Sequence, residues 1–384
     1  MMNQLIFKNP KEMNINRSGA KFSKIVGIGQ KIKELSKKNG KEYLFLNRGV
    51  NAVCNIDLSE VIGNIDFNND NIQVYPPIPG FPELKEAINN IYFENKTSSD
   101  NITITSGGMN ALDLVFQSIN VKNIYLPAFY WGAYIHIMTI RGIINFNYDR
   151  FEDLLEKTEE LKDSAVIICD PNNPVGDKFS DDKVLELIEK LNAEGIVVIF
   201  DSPYRRVFYN NNDDFYQKLL RFDNVIIVES FSKSVGLSGQ RIGFVHTNNA
   251  DLVDELKIRL LYASNGVNAF SQQLVYELLT SKEGKKAIDN FRERTRNDIA
   301  ENIEYLEKTG LLAKEFYVDS KPVGIFAIVN KSEDELLDYY IGSVTLSFFT
   351  RINKEKANKY ARICVSVPHD KFVRFFKPLA ERFN

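Results

Sequence analysis

The sequence predicts an α/β protein. Its large unit is a mostly parallel seven-stranded sheet covered by helices on both faces; a smaller α/β unit comes from the N-terminal segment and the C-terminal third. Short apolar or β-branched runs recur near residues 101, 122, 143, 165, 196, 224 and 241, with helix-periodic segments between several of them. Polar residues suited to chemistry gather just after these runs, at strand ends where such sheets bind ligands. Beyond Asn248 the pattern turns helical, and strands return near Ile325 and Ile363. A chain of 384 residues is long enough for two units. The expected division is residues 1–45 joining the small unit, 46–285 forming the large one and 286–384 completing the small one.

Taken in order, residues 1 to about 20 are polar and expected to be loose. Ile25, Val26, Ile32 and Leu35 form a helical stripe over 21–38, Gly40 is its stop, and Tyr43-Leu44-Phe45-Leu46 reads as a short strand. Residues 51–71 are rich in Asn and Asp and are assigned no element. The stretch Tyr75-Pro76-Pro77-Ile78-Pro79-Gly80-Phe81-Pro82 cannot be helix, because its prolines lack donors and restrict their predecessors; a helix begins at Glu83.

A strand over 101–106 runs into Gly107-Gly108, after which Ala111, Leu112, Val115, Phe116 and Ile119 fall at helical spacing. Strand, glycines and helix start bring unpaired N–H groups and the positive dipole end to one point, a setting for phosphate. The strand over 122–129 ends in Phe129-Tyr130-Trp131-Gly132-Ala133-Tyr134, which holds the chain's single tryptophan. Strands over 143–148 and 165–169 follow, the second leading into the strong turn Asp170-Pro171-Asn172-Asn173-Pro174-Val175-Gly176. A helix from Ser180, stopped at Gly195, precedes the apolar strand 196–200 and then Asp201-Ser202-Pro203-Tyr204. The C-terminal pattern predicts helices over 251–261, 271–279 and 283–307, and strands over 315–317, 325–329 and 363–367.

The stretch from Asn224 to Val245 is the most telling. Val225-Ile226-Ile227-Val228 is a buried-strand run; Ser230-Phe231-Ser232-Lys233 follows, and Arg241 precedes a second apolar run. A desolvated lysine loses its proton readily and becomes an amine nucleophile. Ser230, Ser232 and Arg241 supply hydroxyls and a guanidinium suited to phosphate. A Schiff-base lysine beside phosphate ligands suggests pyridoxal 5'-phosphate (PLP).

Ser-Phe-Ser-Lys-Ser-Val-Gly-Leu-Ser-Gly-Gln-Arg-Ile-Gly resembles the lysine signature of fold-type I PLP enzymes of the class I/II, aspartate aminotransferase-like, family. Pro-Asn-Asn-Pro-x-Gly at Pro171–Gly176 and Asp-x-x-Tyr at Asp201 and Tyr204 resemble further motifs of that family, as does the Tyr75–Leu84 stretch, with Lys85 in place of an arginine. The resemblance implies Lys233 as the Schiff-base residue and Asp201 as partner of the pyridine nitrogen. It implies Asn173 and Tyr204 at the phenolate oxygen, and Ser230, Arg241, Gly107, Gly108 and Met109 around the phosphate. Trp131, in preference to Tyr130, is expected to stack on the ring. Tyr75 is expected to reach a neighbouring subunit's phosphate, hence a homodimer with shared sites. Arg362, Gly49 and Asn173 are expected to meet the substrate, Arg362 gripping its α-carboxylate.

The substrate side departs from the family pattern. Arg48-Gly49-Val50-Asn51-Ala52 replaces the usual Gly-x-Pro-Asp-Phe, and residues 343–349 replace the usual Pro-Gly-x-x-Phe-Gly. The implied function is an aminotransferase moving an amino group between an amino acid and a 2-oxo acid. A PLP decarboxylase, lyase or cyclase would keep the same cofactor contacts, and a PLP-binding regulator is the remaining alternative.

A net charge of -3 gives no electrostatic reason to expect nucleic acid or an anionic membrane. No apolar run approaches a membrane span, and the first residues lack the apolar core of a signal peptide. Cys54, Cys169 and Cys364 are widely spaced and form no metal pattern, which suits a reducing, cytoplasmic compartment.

Overall fold

In the computed structural model, residues 15–209 and 213–383 are described. The expectation for the first residues therefore lies, over 1–14, outside the described residues. The seven apolar runs form one sheet in the order Ile102–Thr105, Gly243–Thr247, Val225–Ser230, Val197–Asp201, Ser164–Cys169, Asn123–Pro127, Ile144–Tyr148. The last five are mutually parallel, and Gly243–Thr247 is antiparallel to both its neighbours. Val225–Ser230 and Ser164–Cys169 are buried along their whole length, as central strands covered on both faces must be. The edge strand Ile144–Tyr148 instead alternates, and Arg351 caps it by donating to Asn145 Oδ1 at 2.7 Å and Asn147 Oδ1 at 2.6 Å.

The single reversal has a purpose. Because Val225–Ser230 and Gly243–Thr247 pair antiparallel, with Ser230 opposite Gly243, the connection carrying Lys233 and Arg241 starts and ends at one edge. Thr105 also pairs with Gly243, so Gly107 and Gly108 emerge at that edge too. The parallel register sets Asp201 beside Cys169 and Val228.

A smaller antiparallel sheet is built from Phe326–Val329, Ala361–Cys364 and Val344–Thr345. Leu44–Phe45 pairs in parallel with Ile341–Gly342, tying the N-terminal segment to this region. The helix Lys24–Asn39 before it ends at Gly40, at φ 67°. Lys282–Lys308 is one continuous helix that runs through residue 285, and Gly310 follows it at φ 66°. Three apolar clusters result: one around the large sheet, one beneath the small sheet, and a smaller one around Ile328, Val344 and Phe349. Cys169 and Tyr204 belong to the second, while Ile168 and Phe200 belong to the first.

Three expectations need correction. The strand expected at 315–317 is a tight turn, Lys314–Phe316. Ala313 docks on Ile328 through one backbone bond, and the Tyr317 hydroxyl then accepts from the Ile328 N–H at 2.9 Å, taking the place of a strand. The strand expected at 363–367 is Ala361–Cys364, so Arg362 lies within it and not before it. The unassigned stretch 51–71 holds two short helices, Ser59–Gly63 and Asp70–Gln73.

Candidate active site

A cavity of about 370 Å³ opens where the carboxyl ends of the large sheet meet the small one. Lys233 lies in the short helix Phe231–Ser234 immediately after its strand. Its ammonium donates to the Gly49 carbonyl, and burial, reinforced by Arg241 and Arg362, lowers its pKa below the usual lysine value. A lowered pKa favours use of the amine as a nucleophile.

Asp201 is 3% exposed at the end of its strand. Burial pushes its carboxyl up to about 7, against the lowering effect of the Tyr134 hydroxyl, which donates to Oδ2. A buried carboxylate with one hydroxyl donor is poorly neutralised, and a protonated ring nitrogen is the partner it lacks.

Asn173 and Tyr204 converge from different loops, Asn173 Nδ2 standing 3.1 Å from the Tyr204 hydroxyl. The turn bearing Asn173 is clamped at its base by Lys178, paired with Asp170 at 2.7 Å and Asp181 at 2.8 Å. Gly176, at φ 74°, is obligatory there, since a Cβ would stand 1.9 Å from the Phe326 carbonyl oxygen.

The residues expected around the phosphate lie together. The helix Gly108–Ser118 is preceded by Gly107 at φ 85°, ψ 170°. A Cβ on Gly107 would fall 2.8 Å from Arg241 Nη2, so only glycine lets the guanidinium lie against the helix start. Arg241 Nη1 donates to the Ser238 carbonyl at 2.9 Å, and Ser230 and Ser232 line the same wall. The residues present therefore fit PLP: a phosphate cradle that a side chain would fill, an under-neutralised carboxylate and a neutral-prone amine. No group of three or more metal-ligating side chains occurs among the described residues.

Arg362 is buried between the rings of Phe326 and Phe349, at 4.3 and 4.7 Å from their centroids. It donates to the Asn47 carbonyl and, at 3.4 Å, to Asn173 Oδ1, while its Nε has no partner. Burial lowers its pKa to about 10, so it stays charged at neutral pH.

The structure thus gathers Lys233, Asp201, Tyr204, Asn173, Ser230, Arg241, Gly108, Met109, Trp131, Gly49 and Arg362 at one cavity, with Gly107 behind Arg241. Trp131 faces it, whereas Tyr130 does not line it and has Arg351 over its ring at 5.8 Å. Tyr75 is not brought to this cavity; it stands on the surface, 83% exposed. Sequence reasoning missed Tyr134, whose signal was its place one turn after Trp131 on the same helix face. It also missed Phe326 and Arg48, which only tertiary contact brings here. A second cavity of about 280 Å³ lies behind the Asn173 turn and contains neither Lys233 nor Asp201.

The family model for aminotransferase class I and II matches residues 49–375. A histidinol-phosphate aminotransferase of Brachyspira hyodysenteriae is 26% identical over 296 residues, covering 72% of this chain and 80% of that protein. A probable aspartate/prephenate aminotransferase of Aquifex aeolicus is 27% identical over 269 residues, 64% of this chain and 67% of that one. Two further histidinol-phosphate aminotransferases align over only 60% and 55% of their length. Among solved structures, an aspartate aminotransferase from Thermus thermophilus with maleate superposes with a TM-score of 0.80 at 17% identity, covering 96% of this chain and 99% of that one, a likeness of fold.

Proposed function

The chain belongs to the class I and II family of PLP-dependent aminotransferases, and we propose that it moves an amino group between an amino acid and a 2-oxo acid with Lys233 as the cofactor's attachment point. The observation that carries this reading is the convergence of Lys233, Asp201, Asn173, Tyr204 and Arg362, from separate strands and loops, on one cavity. Arg241, Ser230 and the amides at the start of Gly108–Ser118 would hold the phosphate, and Trp131 would flank the ring. Bound there, PLP supplies an electron sink for the charge released when a substrate Cα loses its proton.

The protein's own residues do the remainder. Arg362 binds the α-carboxylate and so orients the substrate amine toward Lys233. Lys233 Nζ, whose pKa burial lowers, is the base placed to take the proton from Cα. Asp201 presents its carboxyl at the end of its strand, where a protonated ring nitrogen would favour its charged form, and Asn173 and Tyr204 would offer hydrogen bonds to the cofactor.

Borohydride reduction of PLP-loaded protein should fix the label on Lys233, and amino acids should convert the cofactor's absorbance to that of its amine form. A label on another lysine, or no spectral response to any amino acid, would overturn the reading. A homodimer belongs to the same proposal, supported by Tyr75 standing exposed off its own cavity; a fully active monomer by light scattering would count against it. A cytoplasmic location is supported by three unpaired cysteines. No helix among the described residues is long and apolar enough to cross a membrane.

A further inference from the structure

The turn that carries Lys233 is held from behind, by groups outside the cavity. Phe231–Ser234 is a four-residue helix, too short to keep its shape through internal bonds alone. At its start the Ser230 N–H donates to Glu229 Oε1 at 2.9 Å, and Glu229 Oε2 accepts from the Tyr216 hydroxyl. At its end Arg292 Nε donates to the Ser234 carbonyl at 2.8 Å, reaching in from the helix Lys282–Lys308. Glu229, Ser234 and Arg292 are all buried, and none of the three lines the cavity.

The same stretch of that helix makes two further contacts. Phe291 seats against Gly236, where φ is 69° and a Cβ would fall 2.7 Å from the ring's Cζ. Thr295, one turn beyond Arg292, accepts from Asn51 Nδ2 at 2.6 Å. Asn51 stands two residues beyond Gly49, whose carbonyl receives Lys233 Nζ. One helix therefore fixes both the backbone beneath Lys233 and the strip that its amine meets. Burial is the chief cause of the lowered Lys233 pKa; Cys364 opposes it, and Arg241 and Arg362 add to it. Whatever holds the turn in place therefore also holds the amine in its reactive surroundings.

We propose that Arg292 is a positioning residue for Lys233: by holding the Ser234 carbonyl, its Nε–H keeps the amine buried and within reach of the cofactor aldehyde. The inference rests on Lys233 being the cofactor's attachment point. The geometry uses the donor and not the charge, and two variants separate them. The amide nitrogen of glutamine stands as many bonds from Cα as arginine Nε does, so Arg292→Gln keeps a donor and loses the charge. Arg292→Met loses both.

The test reads the amine of the cofactor-free protein and the attachment of PLP separately. Reductive methylation of Lys233 over a range of pH, followed by peptide mass spectrometry, reports how readily the amine deprotonates. In Arg292→Met the midpoint should move to higher pH, and attachment of PLP, followed by its absorbance, should slow at least about tenfold at neutral pH. Affinity for 4'-deoxypyridoxine 5'-phosphate, which lacks the aldehyde, should change less than about threefold, because Arg241 and the helix amides are untouched. Arg292→Gln should keep the wild-type midpoint and stay within about threefold in rate and affinity, although it loses the same charge. A midpoint and attachment rate unchanged in Arg292→Met, or altered equally in Arg292→Gln, overturn the proposal; a merely structural arginine would lower thermal midpoints and move neither reading. If Arg292→Met does not fold, Phe291→Leu slackens the seat at Gly236 and must move the methylation midpoint the same way; an unmoved midpoint again overturns the proposal. Attachment of PLP to a lysine other than Lys233 in the wild type defeats the reading beneath, and the proposal with it.

Discussion

Asp201→Asn separates the electronics of the site from its grip on the cofactor. The side chain is 3% exposed, and the amide is nearly isosteric, so the Tyr134 hydroxyl keeps an oxygen to donate to. What disappears is the charge. A carboxylate about 3 Å from a protonated ring nitrogen, at an effective dielectric of about 20, contributes about 5 to 6 kcal/mol. At 1.36 kcal/mol per unit this holds the nitrogen's pKa up by about four units. With asparagine the neutral ring is favoured at pH 7.5, and the half-reaction with an amino donor should slow by about 10²- to 10⁴-fold. Cofactor affinity should fall less than about tenfold, because Arg241, Ser230 and the helix amides are untouched and a neutral ring still fits. Stopped-flow absorbance gives the rate, and ¹⁵N resonance of labelled PLP reports the nitrogen's protonation. Near wild-type turnover at saturating PLP, or a nitrogen still protonated, would refute the assignment of Asp201.

The same carboxyl makes a prediction about stability. Its pKa is raised from 3.8 to about 7 in the folded protein, so between about pH 4 and 7 the native state retains a proton that the unfolded chain has released. Without cofactor, stability should fall as pH rises through that window and level off above it; Asp201→Asn should lose this slope, and superimposable thermal-midpoint profiles would contradict it. Tyr134→Phe removes the hydroxyl that lowers this pKa, so the carboxyl should titrate still higher; PLP affinity should then drop more at pH 6 than at pH 8, and an equal drop at both would show a merely structural role. Gly107→Ala places a Cβ 2.8 Å from Arg241 Nη2 in a backbone region open essentially to glycine, at a cost of about 1–3 kcal/mol. Its PLP dissociation constant should rise at least about tenfold in a fluorescence titration, and an unchanged constant would show that Arg241 does not hold the phosphate.

By itself the sequence determined the seven strands, the order of the motifs along them and the chemistry of the lysine segment. Those features are local: β-branched runs, paired glycines and proline turns act through the backbone of their own few residues. The helix stop at Gly40 is legible for the same reason, the residue standing at positive φ. Local pattern misled at Lys314–Phe316, where a tyrosine hydroxyl from the next residue occupies the strand's place.

Tertiary structure alone decided how the site closes. Nothing in the spacing of Trp131 and Tyr134 reveals that the tyrosine hydroxyl meets Asp201, 67 residues away in sequence. Nothing in Asn47-Arg48-Gly49 reveals that the Gly49 and Asn47 carbonyls receive Lys233 and Arg362 from segments 184 and 315 residues further on. Such partners are chosen by sheet order and register, because a reversed Gly243–Thr247 and a small sheet docked at the strand ends bring distant segments together.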